Sequence, residues 1–183
     1  MAPDLVGCLL VRKTPQGVLS GMVVETEAYA EGDPASHSFR GKTDRNRPMF
    51  REGGRAYVYV IYGIHHCFNV TTGAAGDGQA VLIRALQPIS GIGLMMEHRG
   101  TDRVELLCKG PGRLCSAMGI DKSFNGMSLL DGNLRIMVPR ERKDTGISVS
   151  SRTGITKGVE LKWRYFLEGS PWVSTSRRVS DSR

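Results

Sequence analysis

Between residues 56 and 86 the chain passes through three stretches whose composition leaves room for little but strands. Ala56-Tyr57-Val58-Tyr59-Val60-Ile61-Tyr62 is dense in β-branched and aromatic residues, which fit a pleated, half-buried surface. Gly63 predicts a tight bend, and Ile64 to Thr72 returns as the partner strand. Gly73 to Gly78 is a turn, and Ala80 to Leu86 is a further strand that Pro88 should end. Upstream, Cys8 to Arg12 and Val18 to Glu27 flank Thr14-Pro15-Gln16-Gly17. There proline fixes φ and glycine allows it to turn positive, so the two runs form a hairpin. Helical patterning comes later, over Ile92–His98, Asp102–Cys108 and Arg113–Met118. Gly110-Pro111-Gly112 reads as a break before the last of these, and Gly119 as its C-terminal stop. Leu134–Val138 and Trp163–Leu167 are the closing strands. No repeat or linker divides the 183 residues, a length that one core can serve. The expectation is a single α+β domain over residues 1–183, built on a curved, mainly antiparallel sheet with short flanking helices. The polar tail from Ser176 to Arg183 should fray.

The net charge of +7 favours a polyanionic partner such as nucleic acid. No apolar run approaches the ~20 residues of a membrane helix, so no membrane partner is expected. Met1-Ala2-Pro3-Asp4-Leu5 lacks the basic start and apolar stretch of a signal peptide. The expected location is therefore cytoplasmic, with the nucleoid, or nuclear in a cell that has a nucleus. The four cysteines, Cys8, Cys67, Cys108 and Cys115, include no C-x-x-C pair and read as small buried hydrophobes. His65, His66 and Cys67 alternate across a strand and cannot converge on one ion, so no metal site is expected.

Two segments carry the positive charge towards a partner. Ala30 to Gly54 has no apolar period and holds Arg40, Lys42, Arg45, Arg47 and Arg51; a long irregular segment of this kind can lie along phosphates. Lys109-Gly110-Pro111-Gly112-Arg113 precedes a helix, whose free N–H groups favour an anion. That segment lacks the Gly-Lys-Ser or Gly-Lys-Thr of a nucleotide phosphate loop. A nucleic-acid phosphate and an ordinary helix start remain equal readings there.

Glu25, Glu27 and Tyr29 fall on one face of their strand. Such a face is usually solvated. A carboxylate beside a basic nucleic-acid surface repels phosphate, however, and one task that would justify it is deprotonating a water. Tyr57, Tyr59 and Tyr62 read first as core or half-buried aromatics. The alternative is a stacking platform for an extruded base, with Tyr62 at the hairpin tip as a wedge. His37, between Ser36 and Ser38 in the irregular segment, could bond a ligand.

At this point the residues resemble a family. Glu25-Thr26-Glu27-Ala28-Tyr29, Arg45-Asn46-Arg47-Pro48-Met49-Phe50, Tyr57-Val58-Tyr59-Val60-Ile61-Tyr62-Gly63 and Val81-Leu82-Ile83-Arg84-Ala85-Leu86 resemble the alkyladenine (3-methyladenine, methylpurine) DNA glycosylases. Leu107-Cys108-Lys109-Gly110-Pro111-Gly112-Arg113-Leu114-Cys115 and Gly169-Ser170-Pro171-Trp172-Val173-Ser174 fit the same pattern, in the same order. The resemblance implies a monofunctional glycosylase acting on double-stranded DNA that contains damaged purines, monomeric and without metal or organic cofactor. Glu27 would be the general base, and Arg84 would hold the catalytic water with it. Tyr29, His37 and Tyr59 would enclose the flipped purine, Asn69 would exclude the 2-amino group of guanine, and Leu82 would complete the base site. Tyr62 would be the intercalating wedge. The position of a backbone carbonyl contact to the water falls near Thr153. Arg40, Arg45, Arg47, Lys109 and Arg113 would meet the DNA backbone. The chain departs from the pattern in a short N-terminus, in His65 and His66 after the wedge, and around Trp163-Arg164-Tyr165. Two rivals remain: a nucleic-acid binding module of the same fold without catalysis, and an RNA-directed enzyme on a related sheet.

Overall fold

The computed structural model describes residues 1–141 and 146–174; the expected frayed tail, 176–183, lies outside the described residues. The hairpin predicted near the N-terminus is present as β1 (Leu9–Thr14) and β2 (Gly17–Tyr29). A short helix, α1 (Ala2–Leu5), precedes it. β3 (Ala56–Ile61), β4 (His65–Thr72) and β5 (Gln79–Ser90) then follow as the sequence predicts, all antiparallel. After β5 come α2 (Ile92–Arg99), α3 (Pro111–Met118) and β6 (Leu134–Met137). Two short strands close the described chain, β7 (Ile147–Ser150) and β8 (Arg164–Leu167). The sheet order is β3-β4-β5-β2-β1-β6, and the β7–β8 pair attaches to β2 through β8. The fold is α+β, as expected: a curled antiparallel half-barrel with few, short helices.

β2 organises this sheet because its thirteen residues serve more partners than one edge normally holds. Its first half pairs with β1, from Gly17 to Met22. On the same edge, Glu25 to Glu27 pair with β8, while the other edge faces β5. Where β1 gives way to β8 the ladder is irregular, with register shifts between Val23 and Glu25 and between Glu25 and Thr26. Bulges bend a strand and re-aim its side chains. Here they leave Arg84 between the paired residues Ala85 and Ile83, beside both glutamates.

Strand parity separates core from site. Val58, Phe68, Val70, Val81 and Ile83 join the main core, which includes Met95 of α2 and Leu114 and Met118 of α3. Their neighbours Tyr57, Tyr59 and Ala80 turn to the opposite face, where Met49 and Phe50 from the irregular segment cover them. The two-residue period of a strand produces this division directly. All four cysteines are buried.

Several local expectations are corrected. β5 does not end at Pro88 but runs to Ser90, with Pro88 opposite Gly21. Beyond Ala85 no described strand pairs with the second edge of β5, so a residue without an N–H is tolerated there. Gly110-Pro111-Gly112 is not a break before a helix: Pro111 opens α3, the position where its missing N–H costs nothing. Gly119 does close α3, at φ 60°, as predicted. Asp102–Cys108 forms only a 3-10 turn at Val104–Leu106. The chain is instead drawn to the sheet, because the Leu86 N–H donates to the Cys108 carbonyl and Ala85 bridges Lys109. Tyr62 leaves β3 and adopts φ +54°, the one described non-glycine residue with positive φ.

Candidate active site

A pocket of about 290 Å³ opens on the face of the sheet away from the main core, near the small end of the range for small-molecule sites. Tyr29 from β2, Tyr59 from β3, Asn69 from β4, and Leu82 and Arg84 from β5 line it. His37 and Thr153 reach it from loops. Thus every residue that the resemblance assigns to the base site borders one cavity, and Tyr62 stands at its rim, 85% exposed.

Glu27 lies one layer behind that lining, with no exposed surface. The Tyr29 hydroxyl donates to its Oε2 at 3.0 Å and Arg84 Nη1 to the same oxygen at 3.2 Å. The Thr153 backbone N–H donates to Oε1 at 2.6 Å. Burial pushes the Glu27 carboxyl above the ordinary range. Arg84, the Thr153 N–H and the Tyr29 hydroxyl pull against that rise, and Glu25 adds to it. Burial, with Glu27 next to it, holds the proton on Tyr29. The result is a carboxylate with reason to take a proton, enclosed by three groups that border the cavity. Thr153, placed near the site by the resemblance as a carbonyl contact, enters through its N–H to Glu27.

Glu25 shares the buried face, as the period-two pattern predicts, but has a different environment. Its Oε1 receives Arg84 Nε at 3.0 Å, Arg164 Nε at 2.6 Å and the Ser174 hydroxyl at 2.9 Å. Its Oε2 receives the Ser174 N–H at 2.7 Å. Arg84 therefore bridges the two glutamates. Burial works against its charge, yet Glu27 and Glu25 hold its guanidinium above the ordinary value.

The aromatic wall is internally bonded. His37 and Tyr59 pack edge to face with ring centres 4.5 Å apart, so these two form one wall and do not flank the cavity separately. His37 Nδ1 is 2.8 Å from the Tyr57 hydroxyl. Burial and Arg45 lower the His37 pKa, which keeps the ring neutral at neutral pH. Burial pushes the Tyr57 hydroxyl up to about 12. Asn69 is held by its Nδ2, which donates to the Tyr57 carbonyl at 3.0 Å.

The basic residues divide. Arg40, Arg47 and Arg113 are exposed. Arg45 lies over the Tyr59 ring at 5.6 Å, so it also supports the wall. Lys109 donates to the Pro171 carbonyl at 3.0 Å. Lys109, Arg113, His65 and His66 line a wider groove of about 620 Å³ that shares Pro111 with the aromatic pocket. No group of three or more potential metal ligands occurs among the described residues.

The sequence reading missed Arg152, Asp33, Arg164 and Ser174. Arg152 ion-pairs with Asp33, and neither side chain is exposed. One signal pointed that way. Two carboxylates on a buried face require cations, and Trp163-Arg164-Tyr165 stood out only as a departure.

Comparison with known proteins gives a consistent result. The sequence profile of the methylpurine-DNA glycosylase (MPG) family matches residues 1–171. A protein of Methanoculleus marisnigri, named as an inferred 3-methyladenine DNA glycosylase, is 50% identical over 177 residues, covering 95% of this chain and 92% of that protein. Proteins named in the same way from Mesorhizobium japonicum and Carboxydothermus hydrogenoformans are each 44% identical; the alignments cover 99% and 95% of this chain, and 87% and 92% of those proteins.

Proposed function

Because the chain belongs to the methylpurine-DNA glycosylase family, we propose that it flips an alkylated purine out of duplex DNA and hydrolyses its N-glycosidic bond with a water activated by Glu27. The observation that carries this reading is the convergence of Tyr29, Arg84 and Thr153 on a buried carboxylate behind an aromatic pocket.

The steps follow from the side chains. Exposed Arg40, Arg47 and Arg113 attract the phosphates, so affinity falls with salt. Each of these arginines changed to alanine should weaken binding similarly on all sequences and reduce the log–log salt slope by about 1, as measured by fluorescence anisotropy. A slope unchanged in all three variants would remove them from the DNA surface. Tyr62 enters the vacated stack, and the base turns into the pocket against His37 and Tyr59. Stacking there returns on the order of 1–3 kcal/mol per base. An alkylated purine that carries positive charge gains further from the aromatic faces.

Cleavage develops positive charge on the sugar. The Glu27 carboxylate stabilises that charge and accepts the proton of the attacking water. Among the described residues no lysine lines the pocket, which favours direct hydrolysis to free base and an abasic site over an amine intermediate. Hypoxanthine and ethenoadenine fall within the same proposal, as flat purines that the aromatic wall can stack. The step requires no cofactor.

The deciding experiment is single-turnover base release from duplexes carrying one alkylated purine, one hypoxanthine or one ethenoadenine. Release of free base supports the reading; tight binding without release from any of them leaves a DNA-binding module. Tyr62→Ala should slow release roughly 5- to 100-fold, the range of one base–aromatic stack. Its melting temperature should hardly move, because the side chain is exposed. An unchanged rate would remove the wedge role.

A further inference from the structure

Arg152 sits immediately before the residue whose N–H bonds Glu27, and both of its terminal nitrogens are bonded. Its Nη1 ion-pairs with Asp33 Oδ2, and its Nη2 donates to Asp33 Oδ1 at 2.9 Å. Nη1 also donates to the Ala28 carbonyl at 2.9 Å, and Nη2 to the Gly158 carbonyl at 3.4 Å. The guanidinium lies over Tyr29 at 4.7 Å and over Trp163 at 5.3 Å. Bidentate pairing and ring stacking together specify orientation as well as charge.

The partners come from separate parts of the site. Ala28 and Tyr29 end β2, directly after Glu27. Asp33 begins the loop that carries His37 to the pocket, and its Oδ1 also caps the Ala35 N–H at 3.0 Å. Thr153, Gly154 and Ile155 line the pocket on the Arg152 side. One guanidinium therefore ties the Thr153 segment to the strand end bearing Tyr29 and to the loop bearing His37. Space around it is closed: a Cβ at Gly158 would stand 3.0 Å from Arg152 Nη2 and 3.1 Å from Asp33 Oδ1, on backbone at φ +61°.

The geometry points to the Arg152–Asp33 pair as a positioning device for the reaction, which fixes the Thr153 N–H on Glu27 and the Tyr29 ring at the pocket wall. This rests on the reading of Glu27 as the base. Neither Arg152 nor Asp33 touches the reacting atoms; both act through Thr153 and Tyr29. If the clamp loosens, Glu27 loses a hydrogen bond that favours its ionised form, and its pKa rises. The other groups around Glu27 are Arg84, Tyr29, Glu25 and Cys67, with Arg152 itself at longer range. Arg164, opposite Glu27 in β8, is committed to Glu25.

The test follows the Glu27 carboxyl by ¹³C NMR titration, a readout that does not need turnover, together with the pH dependence of single-turnover release. Arg152→Lys keeps the charge and loses the two-point pairing. Asp33→Asn removes a negative charge, which by electrostatics alone would lower the Glu27 pKa. The clamp predicts the opposite: in both variants Glu27 titrates higher, on the order of half to one pH unit. The acidic limb of the rate profile should move up with it, since the base must be ionised, while DNA affinity holds. Gly158→Ala presses on the pair without removing any group, and it serves if the other two fold poorly. A Glu27 titration that stays put or moves down in the folded variants overturns the proposal. A native protein that releases no base would instead overturn the function, and the NMR arm would still decide the clamp.

Discussion

Glu27→Gln is expected to lower single-turnover base release by about 10²- to 10⁴-fold, the range for a lost general base. The loss will be larger if the carboxylate also stabilises the sugar cation. Affinity for lesion DNA should change little, because Glu27 has no exposed surface and stands behind the pocket lining. Stability should also be nearly kept, and the sign can be worked out. Burial raises the folded-state pKa of Glu27. Its contribution to stability is therefore fully present below the unfolded value and lost as the pH rises through the folded one. Above that folded-state value the ionised carboxylate is thus a cost to folding that a neutral amide does not carry. Against this, glutamine turns one of the paired oxygens into an NH₂ group facing donors, which sacrifices hydrogen bonds. The two effects oppose one another. Release and melting should be measured on the same preparation: a variant that loses activity together with binding or fold would deny Glu27 its role as the base.

Glu25→Gln should give the reverse fingerprint. Glu25 has no exposed surface and neutralises Arg84 and Arg164 while accepting two bonds from Ser174. Removing one partner of a buried ion pair costs about 3–5 kcal/mol, here on the order of 10 °C in melting temperature for a chain of this size. Arg84 keeps Glu27, whereas Arg164 has no other acidic partner among the described ion pairs. The network also anchors residue 174 to the middle of β2, so loss of Glu25 should loosen that end of the chain, readable as faster amide exchange at Ser174. A melting temperature within a degree or two of the native value would mean that the two arginines are neutralised elsewhere. A drop of the expected size, beside the Glu27→Gln result, would separate the two glutamates, two residues apart on one strand face, into one that serves the fold and one that serves the reaction.

What the sequence made legible follows from range. Glu25, Glu27 and Tyr29 could be placed on one face because alternation along a strand is local, and the pairing of β3, β4 and β5 was announced by their turns, whereas Asn69, Leu82 and Arg84 entered only through the family resemblance. The misreadings at Pro88 and Pro111 share a cause: the cost of a missing N–H depends on whether that N–H faces a partner, which a local pattern does not contain. Asp102–Cys108 lost its helix to contacts with β5, a tertiary override of a short segment. Arg152, Arg164 and Ser174 were least accessible. Arg152 meets Asp33 from 119 residues away, and Arg164 and Ser174 reach Glu25 across 139 and 149 residues. Until that distance is closed, nothing distinguishes these residues from the other arginines and serines. The need for cations near Glu25 and Glu27 could be read from their shared face, but not which residues supply them.

Tyr62 takes up a left-handed backbone that tyrosine enters only at a cost of order 1–3 kcal/mol, and its ring contributes nothing to the core in return. Asparagine or glycine would occupy the same tip with less strain. A laboratory selection for heat tolerance alone would therefore drift at this position, and, with Tyr62 as the proposed wedge, its survivors would be sturdier proteins that no longer probe the duplex. Durability and search pull in opposite directions at this one residue, so any programme to harden the molecule has to hold position 62 fixed and look for its gains elsewhere.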